Sequence, residues 1–201
     1  GTSWTDAGGN AYGGSSTTTA NYAIDTVRPT VASFTMSDTA LISGETSTVT
    51  LQFSEAVASF SSDDDITVQN GSLATMTSSD NITWTGTFTP SSDVEDATNV
   101  LTLATSYTDT AGNAPASTST TANYTVDTTA ATVAAFTVSD TALKIGDAAT
   151  VTLQFSEAVS GFSSDDDVTV QNGSLSTMTT TDNITWTGTF TPSSDVEDAT
   201  N

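Results

Sequence analysis

TVTLQFSEAV occupies residues 48–57 and returns unchanged at 150–159. Within the first copy, Val49, Leu51 and Phe53 alternate with polar residues, which is the period-two pattern of a half-buried β-strand. Residues 26–99 align without gaps on 128–201 at an offset of 102, and 58 of the 74 aligned positions are identical. Such segments recurring at one fixed period predict a tandem array of all-β domains.

The start of the chain belongs to the same series of repeats. Its segment 6–10 matches 109–113, and Ala-Asn-Tyr at 20–22 matches 122–124. We therefore divide the chain into the C-terminal strands of a preceding repeat (1–25), a complete repeat (26–127) and most of a following repeat (128–201). Two explanations for the incomplete ends stay open: a window from a longer chain, or ends that complement each other between chains by donor-strand pairing.

Seven strands are predicted within the complete repeat, and turn residues separate them. Their defining residues are Phe34 and Met36; 48–54; 66–69; 73–77; Ile82, Trp84 and Phe88; Leu101, Leu103 and Tyr107; Tyr124 and Val126. The even spacing predicts that Trp84 faces the core, and the pair Asn70-Gly71 predicts a tight hairpin with positive φ at both residues. Seven strands in about 100 residues indicate all-β, tandem immunoglobulin-like β-sandwich repeats of about 102 residues.

The composition excludes several functions. The chain carries 24 acidic residues against Arg28 and Lys144, a formal net charge of −22. This excludes electrostatic binding to nucleic acid and to anionic membranes, which depends on Lys and Arg. No apolar run approaches the roughly 18 residues of a membrane span, so no membrane insertion is expected. Without His or Cys, Ser-His-Asp and Cys-His catalysis are absent, and we expect no enzyme.

Five recurring motifs together carry a family resemblance. They are FSEAV at 53–57, Asn-Gly at 70–71, TFTP at 87–90, DTAGN at 109–113 and YTVD at 124–127. The set resembles bacterial Ig-like tandem repeats of giant secreted or cell-surface adhesins. That resemblance implies secreted or surface extender repeats, which form a stalk and are stiffened by Ca²⁺ at domain junctions. The implied partners are neighbouring repeats of the same chain and other copies placed head to tail.

The distribution of acidic residues predicts where Ca²⁺ binds. Because strands alternate in direction, the loops fall at two opposite ends of each sandwich, and the two ends of successive repeats meet. Across that junction we expect one set of acids to approach another: Asp93, Glu95 and Asp96 facing Glu157, Asp165, Asp166 and Asp167. Convergent carboxylates without Lys or His nearby favour a hard divalent cation with oxygen ligands. Glu55 and Glu157 are the best single candidates, since each closely follows a strand of core alternation. The expected metal ligands are Glu55, Asp63, Asp64, Asp65, Asp109, Asn113, Asp127, Glu157, Asp165, Asp166, Asp167, Asp25, Asp6, Asn10, Asp93, Glu95 and Asp96.

Other interpretations stay open beside the calcium-stiffened stalk. The acids alone would also solvate loops and suppress aggregation. The chain as a whole fits a self-assembling extracellular filament subunit, or an adhesin module that binds a glycan or a surface. A binding module should show an exposed aromatic side chain that the core does not need, and a filament should be visible by imaging.

Overall fold

The computed structural model describes residues 4–15 and 18–200, and the chain divides into two compact units. The first comprises Gly1–Ser91 and Asp96–Val126, and the second comprises Ser92–Glu95 and Asp127–Asn201. Both units are built from strands, with one short helical turn in each. The prediction of an all-β chain with repeated sandwich domains is confirmed.

The complete repeat contains twelve short strands and one helical turn. In chain order they are β1 (Val31–Met36), β2 (Ala40–Ile42), β3 (Ser47–Phe53), β4 (Val57–Ala58), α1 (Ser62–Asp65), β5 (Ile66–Thr67), β6 (Gly71–Leu73), β7 (Thr83–Pro90), β8 (Glu95–Asn99), β9 (Thr102–Leu103), β10 (Thr108–Asp109), β11 (Ser119–Thr120) and β12 (Tyr124–Asp127).

Two layers of sheet enclose the core of this repeat. One layer is the antiparallel sheet β1-β3-β7-β6, in which Leu51 lies opposite Trp84. The other consists of the three-stranded sheets β2-β12-β8 and β11-β9-β5. Phe88 of the first layer meets Tyr124 of the second edge to face, with ring centroids 5.2 Å apart. The period-two alternation read from the sequence therefore places one face of each layer in a shared apolar core.

Trp84 packs within the structure as the spacing predicted, although its side chain is only half-buried. Its ring meets Phe60 edge to face at a centroid distance of 4.9 Å. The indole Nε1 is buried, and no partner for it lies among the described residues. Trp186 packs edge to face against Phe162 in the same way, and its Nε1 is also buried without a partner among the described residues.

The predicted hairpin at Asn70-Gly71 is wrong. Asn70 has a φ of +49°, but Gly71 is not in the left-handed region. β6 pairs with β7, whereas β5 belongs to a different sheet, so the pair marks a crossing between layers. Gly71 is needed for space, because a Cβ there would lie 2.2 Å from Cζ of Phe88.

The second unit contains four strands and one helical turn in the described residues. They are β13 (Val133–Val138), β14 (Ala149–Phe155), α2 (Ser164–Asp167), β15 (Gly173–Leu175) and β16 (Thr185–Pro192). The strands form one antiparallel sheet, β13-β14-β16-β15, with the same register as β1-β3-β7-β6. This unit thus reproduces one layer of the sandwich.

Candidate metal centre

The loop 109–113 holds a buried carboxylate in a network of local hydrogen bonds. Asp109 Oδ1 accepts from the backbone nitrogens of Ala111 and Asn113, both at 2.8 Å. Asp109 Oδ2 accepts from Asn113 Nδ2 at 2.8 Å. Gly112, with a φ of +94°, makes the reversal that brings Asn113 back to Asp109. The DTAGN motif therefore fixes this carboxylate from within the loop.

The same loop forms at 6–10, the segment that matches 109–113 in the sequence. Asp6 Oδ1 accepts from the backbone nitrogens of Gly8 and Asn10, both at 2.9 Å, and Asn10 Nδ2 reaches Asp6 Oδ2 at 3.0 Å. Gly9 takes the positive φ of +81°. Both copies carry Asp, Gly and Asn at matching places, so the loop geometry is a property of the motif itself.

Three carboxylates converge on one side of the loop 109–113. One oxygen from each of Asp25, Glu55 and Asp109 lies within 4.8 Å of the others, and we call this set the acidic triad. Asp25 is exposed, Glu55 is half-buried and Asp109 is buried with 1 % of its surface exposed. In the described part of the chain, no other group of three His, Cys, Asp or Glu side chains meets in this way.

Hydrogen bonds to backbone groups hold the two segments that carry Asp25 and Glu55. Asn113 Nδ2 donates to the carbonyl oxygen of Asp25 at 3.3 Å, and Arg28 Nη1 donates to the carbonyl of Ala114 at 2.9 Å. The segment 25–28 is thereby held to the loop that follows β10. Glu55 comes directly after Ser54, whose backbone nitrogen donates to the carbonyl of Thr30 at 2.9 Å.

The electrostatics of the triad differ between its members. Desolvation raises the pKa of the Glu55 carboxyl, and the negative charges of Asp109 and Asp25 raise it further. Burial also pushes the pKa of Asp109 upward, but its hydrogen bonds from Asn113 and Ala111 outweigh this and lower it below its ordinary value. Asp109 thus stays ionised while the charge on Glu55 is disfavoured. A cation between them would remove that repulsion.

The run Asp63, Asp64 and Asp65 is not part of the triad. Asp63 accepts from Thr75 Oγ1 at 3.0 and 3.1 Å, and Asp64 is exposed. Asp65 is buried, where it accepts from the backbone nitrogen of Ser61 and from Ser106 Oγ. In this structure Asp65 fixes the turn α1 to the segment before β10.

The second copy of this run has fewer contacts. Thr177 Oγ1 donates to Asp165 at 3.1 and 3.2 Å, and the backbone nitrogen of Ser163 donates to Asp167 Oδ2 at 2.9 Å. Asp166 is exposed, and so is Asp167, in contrast to the buried Asp65.

The acids at the other end of the sandwich serve local structure. Asp93 is exposed and has a φ of +56°, and Glu95 is exposed at the start of β8. Asp96 accepts from Asn70 Nδ2 at 2.8 Å and from the backbone nitrogen of Thr98 at 2.9 Å. The hydrogen bond from the Thr98 backbone is the largest influence on its pKa, which lies below the ordinary value. The expected approach of Asp93, Glu95 and Asp96 to Glu157 and 165–167 stays a prediction.

Asp127 and Glu157 are the sequence equivalents of Asp25 and Glu55. Asp127 is exposed at the end of β12, and Glu157 is half-buried after β14. Two of the three triad positions are therefore present for the second repeat.

Sequence reasoning missed the buried Asn99. Its Oδ1 accepts from Asn70 Nδ2 at 2.6 Å, and its Nδ2 donates to the carbonyls of Asp96 at 3.0 Å and Tyr124 at 3.2 Å. Only 1 % of Asn99 is exposed. The sequence gives one signal for it: the residue ends a stretch that recurs unchanged at 183–201. That signal marks the position without revealing its partners.

Comparison with known proteins identifies the domain type. A family model described as bacterial Ig-like domain matches residues 25–126 and again 127–201. The chain belongs to the bacterial Ig-like domain family. As tandem bacterial Ig-like domains, the two matches agree with the repeat read from the sequence. No curated protein and no solved structure matches the chain.

Two features of this bacterial Ig-like chain bear on its class of function. The Ig-like domain family is typically a non-enzymatic structural module. No helix in the described residues is both long and apolar enough to cross a membrane. The acidic triad is the most specific chemical feature of the described part of these tandem bacterial Ig-like domains.

Proposed function

We propose that this chain is a structural spacer of a bacterial surface adhesin, and that Ca²⁺ held by Asp25, Glu55 and Asp109 stiffens it. The observation that carries the proposal is the position of the triad. Asp25 is the first residue of the first family match, and Glu55 and Asp109 belong to that same repeat. An ion bound there would fix the chain to the sandwich at the point where the repeat begins.

The donor set fits calcium in its chemistry. Ca²⁺ takes 6–8 oxygen ligands and accepts carboxylates, carbonyls and water. The triad supplies three carboxylates from three segments that lie far apart in the sequence. Asn113 donates through Nδ2 to both Asp25 and Asp109, so in this structure it positions ligands. The remaining ligands would be carbonyls or water.

The charge distribution supports a role for a cation in stiffness. A formal net charge of −22 makes neighbouring acidic segments repel each other. At Glu55, desolvation raises the pKa most, and the negative charges of Asp109 and Asp25 add to that rise. Binding a divalent ion replaces that repulsion with attraction, which ties 25–28 to the sandwich.

The domain family supports a location outside the cell. Bacterial Ig-like domains are usually extracellular or at the surface. Extracellular modules bind Ca²⁺ with dissociation constants of about 10⁻⁴ to 10⁻³ M, which suits the calcium concentration outside cells. We therefore place the spacer on the outer face of the cell or in a secreted adhesin.

Isothermal titration of the 201-residue chain with CaCl₂ tests the proposal, together with hydrogen exchange of residues 22–30. We expect saturable binding of Ca²⁺, and slower hydrogen exchange of residues 22–30 when Ca²⁺ is present. The variant Asp25→Asn should lose the slowing, whereas Asp64→Asn, at an exposed site outside the triad, should keep it. Unchanged exchange at 22–30 in wild type on adding Ca²⁺ would overturn the proposal.

A further inference from the structure

The side chain of Arg28 ties the start of the complete repeat to the loop that follows β10. Its Nη1 donates to the carbonyl oxygen of Ala114 at 2.9 Å, although 86 positions separate the two residues in the sequence. The next residue, Pro29, is buried. We call residues 25–29 the entry segment. It is therefore held by one long-range hydrogen bond and by one buried side chain, both supplied by the chain itself.

The backbone of the entry segment in turn orients the carboxylate of Asp25. The backbone nitrogen of Val27 donates to Asp25 Oδ1 at 3.0 Å, so the carboxylate is fixed to the residue directly before Arg28. Asn113 Nδ2 also donates to the carbonyl oxygen of Asp25, at 3.3 Å. An Asp side chain that accepts from the backbone two residues further on forms a defined local turn. The hydrogen bond of Arg28 is thereby linked, through this turn, to the position of one triad member.

Like charges oppose this position of Asp25. One oxygen of each triad carboxylate lies within 4.8 Å of the others. Desolvation raises the pKa of Glu55 most, and the charges of Asp109 and Asp25 raise it further. Before an ion binds, repulsion therefore favours movement of Asp25 away from the other two carboxylates. A contact that holds the entry segment in place acts against this repulsion, and Arg28 makes such a contact.

The second repeat keeps the acid and lacks the anchor. At the offset of 102, Asp25 corresponds to Asp127, whereas Arg28-Pro29 corresponds to Ala130-Ala131. Because 58 of the 74 aligned positions are identical, the replacement of two neighbouring residues at this point marks a real difference between the repeats. The anchor is therefore a feature added to one entry segment, separate from the acids that both repeats share.

We propose that Arg28 is a positioning residue for the acidic triad, which holds Asp25 in the triad before a cation binds. Ordering a loose segment lowers the affinity for a ligand, because part of the binding free energy is used to fix that segment. With Arg28 in place the entry segment is already ordered, so the triad binds Ca²⁺ more tightly. The effect on Ca²⁺ rests on the proposed function, whereas the hold on the entry segment does not.

The direction of the effect separates positioning from the charge of the guanidinium. A positive charge near three carboxylates repels Ca²⁺, so its removal on this ground alone would strengthen binding. Loss of the hydrogen bond to Ala114 has the opposite effect, because the entry segment is then ordered only when the ion binds. A purely structural contribution would lower Tm and leave the dissociation constant for Ca²⁺ unchanged.

Isothermal titration with CaCl₂ and hydrogen exchange in EDTA, both on the 201-residue chain, test the proposal. Arg28→Ala should raise the dissociation constant for Ca²⁺ by roughly 3- to 10-fold, the usual net contribution of one hydrogen bond. In EDTA the same variant should speed exchange of residues 22–30. Arg28→Lys keeps a long side chain with a donor, and should restore most of the affinity and of the slow exchange. Lys144→Ala is the matched control, since it removes the other basic residue and should change neither.

Arg28 is exposed, so these variants leave the core intact, and unchanged exchange of β3 and β12 verifies this. Arg28→Ala that binds Ca²⁺ as tightly as wild type, or more tightly, would overturn the positioning role. Equal exchange of residues 22–30 in EDTA would overturn the hold on the entry segment. If wild type binds no Ca²⁺ but Arg28→Ala still speeds this exchange, the hold stands and the proposed function is rejected.

Discussion

Replacing Glu55 with Gln removes one charge from the acidic triad and keeps the size of the side chain. At about 10 mM, Ca²⁺ stands at roughly 10–100 times the dissociation constant typical of extracellular modules. An ion that binds only the folded protein then adds about 1.4–2.7 kcal/mol to the free energy of unfolding. For a domain of about 100 residues this raises Tm by roughly 6–20 °C.

The variant Glu55→Gln should lose most of this calcium-dependent rise, because two carboxylates remain where three converged. In EDTA the substitution should have the opposite effect on Tm. Desolvation and the charges of Asp109 and Asp25 disfavour the ionised Glu55 carboxyl. The neutral amide removes that penalty, so the variant should melt at or above the wild-type temperature when no calcium is present.

Differential scanning calorimetry in EDTA and in Ca²⁺ measures both effects. Hydrogen exchange of peptides from β3 and β12 assigns the change to the complete repeat. Asp64→Asn is the control, since it also removes one negative charge but at an exposed site outside the triad. An equal calcium-dependent rise in Tm for wild type and Glu55→Gln would refute the reasoning.

Three further predictions concern the core and the pH dependence. Asn99→Ala should lower the free energy of unfolding by about 2–4 kcal/mol, because buried carbonyl and amide groups lose their partners; urea denaturation measures it. Phe88→Ala should cost about 3–5 kcal/mol, and Phe190→Ala clearly less because Phe190 is half-buried; hydrogen exchange in each repeat separates the two. In EDTA, the free energy of unfolding should fall as pH rises from 4.5, the ordinary pKa of Glu, to the raised pKa of Glu55 in the folded protein. A carboxyl whose pKa is raised by folding stabilises the fold only while it is protonated. The lowered pKa of Asp109 has the opposite effect: the free energy of unfolding should fall as pH falls below 3.8, the ordinary pKa of Asp. Tm measured over a series of pH values shows both changes, and Glu55→Gln should abolish the fall in Tm above pH 4.5.

The sequence predicts the strands whose side chains alternate between core and solvent. β3 and β7 follow that alternation, and the residues expected to face inward, such as Leu51 and Phe88, are buried. The signal is strong because one face of each strand packs on the opposite layer over several residues. Fold class and repeat length therefore follow from a single chain.

β8 could not be predicted from the sequence. Its five residues contain one apolar side chain, Ala97, so no alternation marks it. Its neighbour in the sheet is β12, which starts 25 residues after Asn99, and no local pattern connects the two strands. The Asn70-Gly71 turn was misread for a related reason, because its two flanking strands belong to different sheets.

Three of the expected ligands lie together in the structure, and their binding of an ion stays a prediction. Asp25, Glu55 and Asp109 were each named, since strand direction places their segments at one end of the sandwich. Many other residues were named with them. The contacts of the others could not be predicted: the partner of Asp65, Ser106, lies 41 residues away, and no local pattern connects the two.

Diffraction from crystals grown with Ca²⁺, with an anomalous difference map, tests the central claim most directly. The account predicts one strong peak at the acidic triad, about 2.3–2.6 Å from an oxygen of each of Asp25, Glu55 and Asp109. It would be contradicted by a map in which the three side chains stand apart with no peak between them, while calcium is bound elsewhere on the chain.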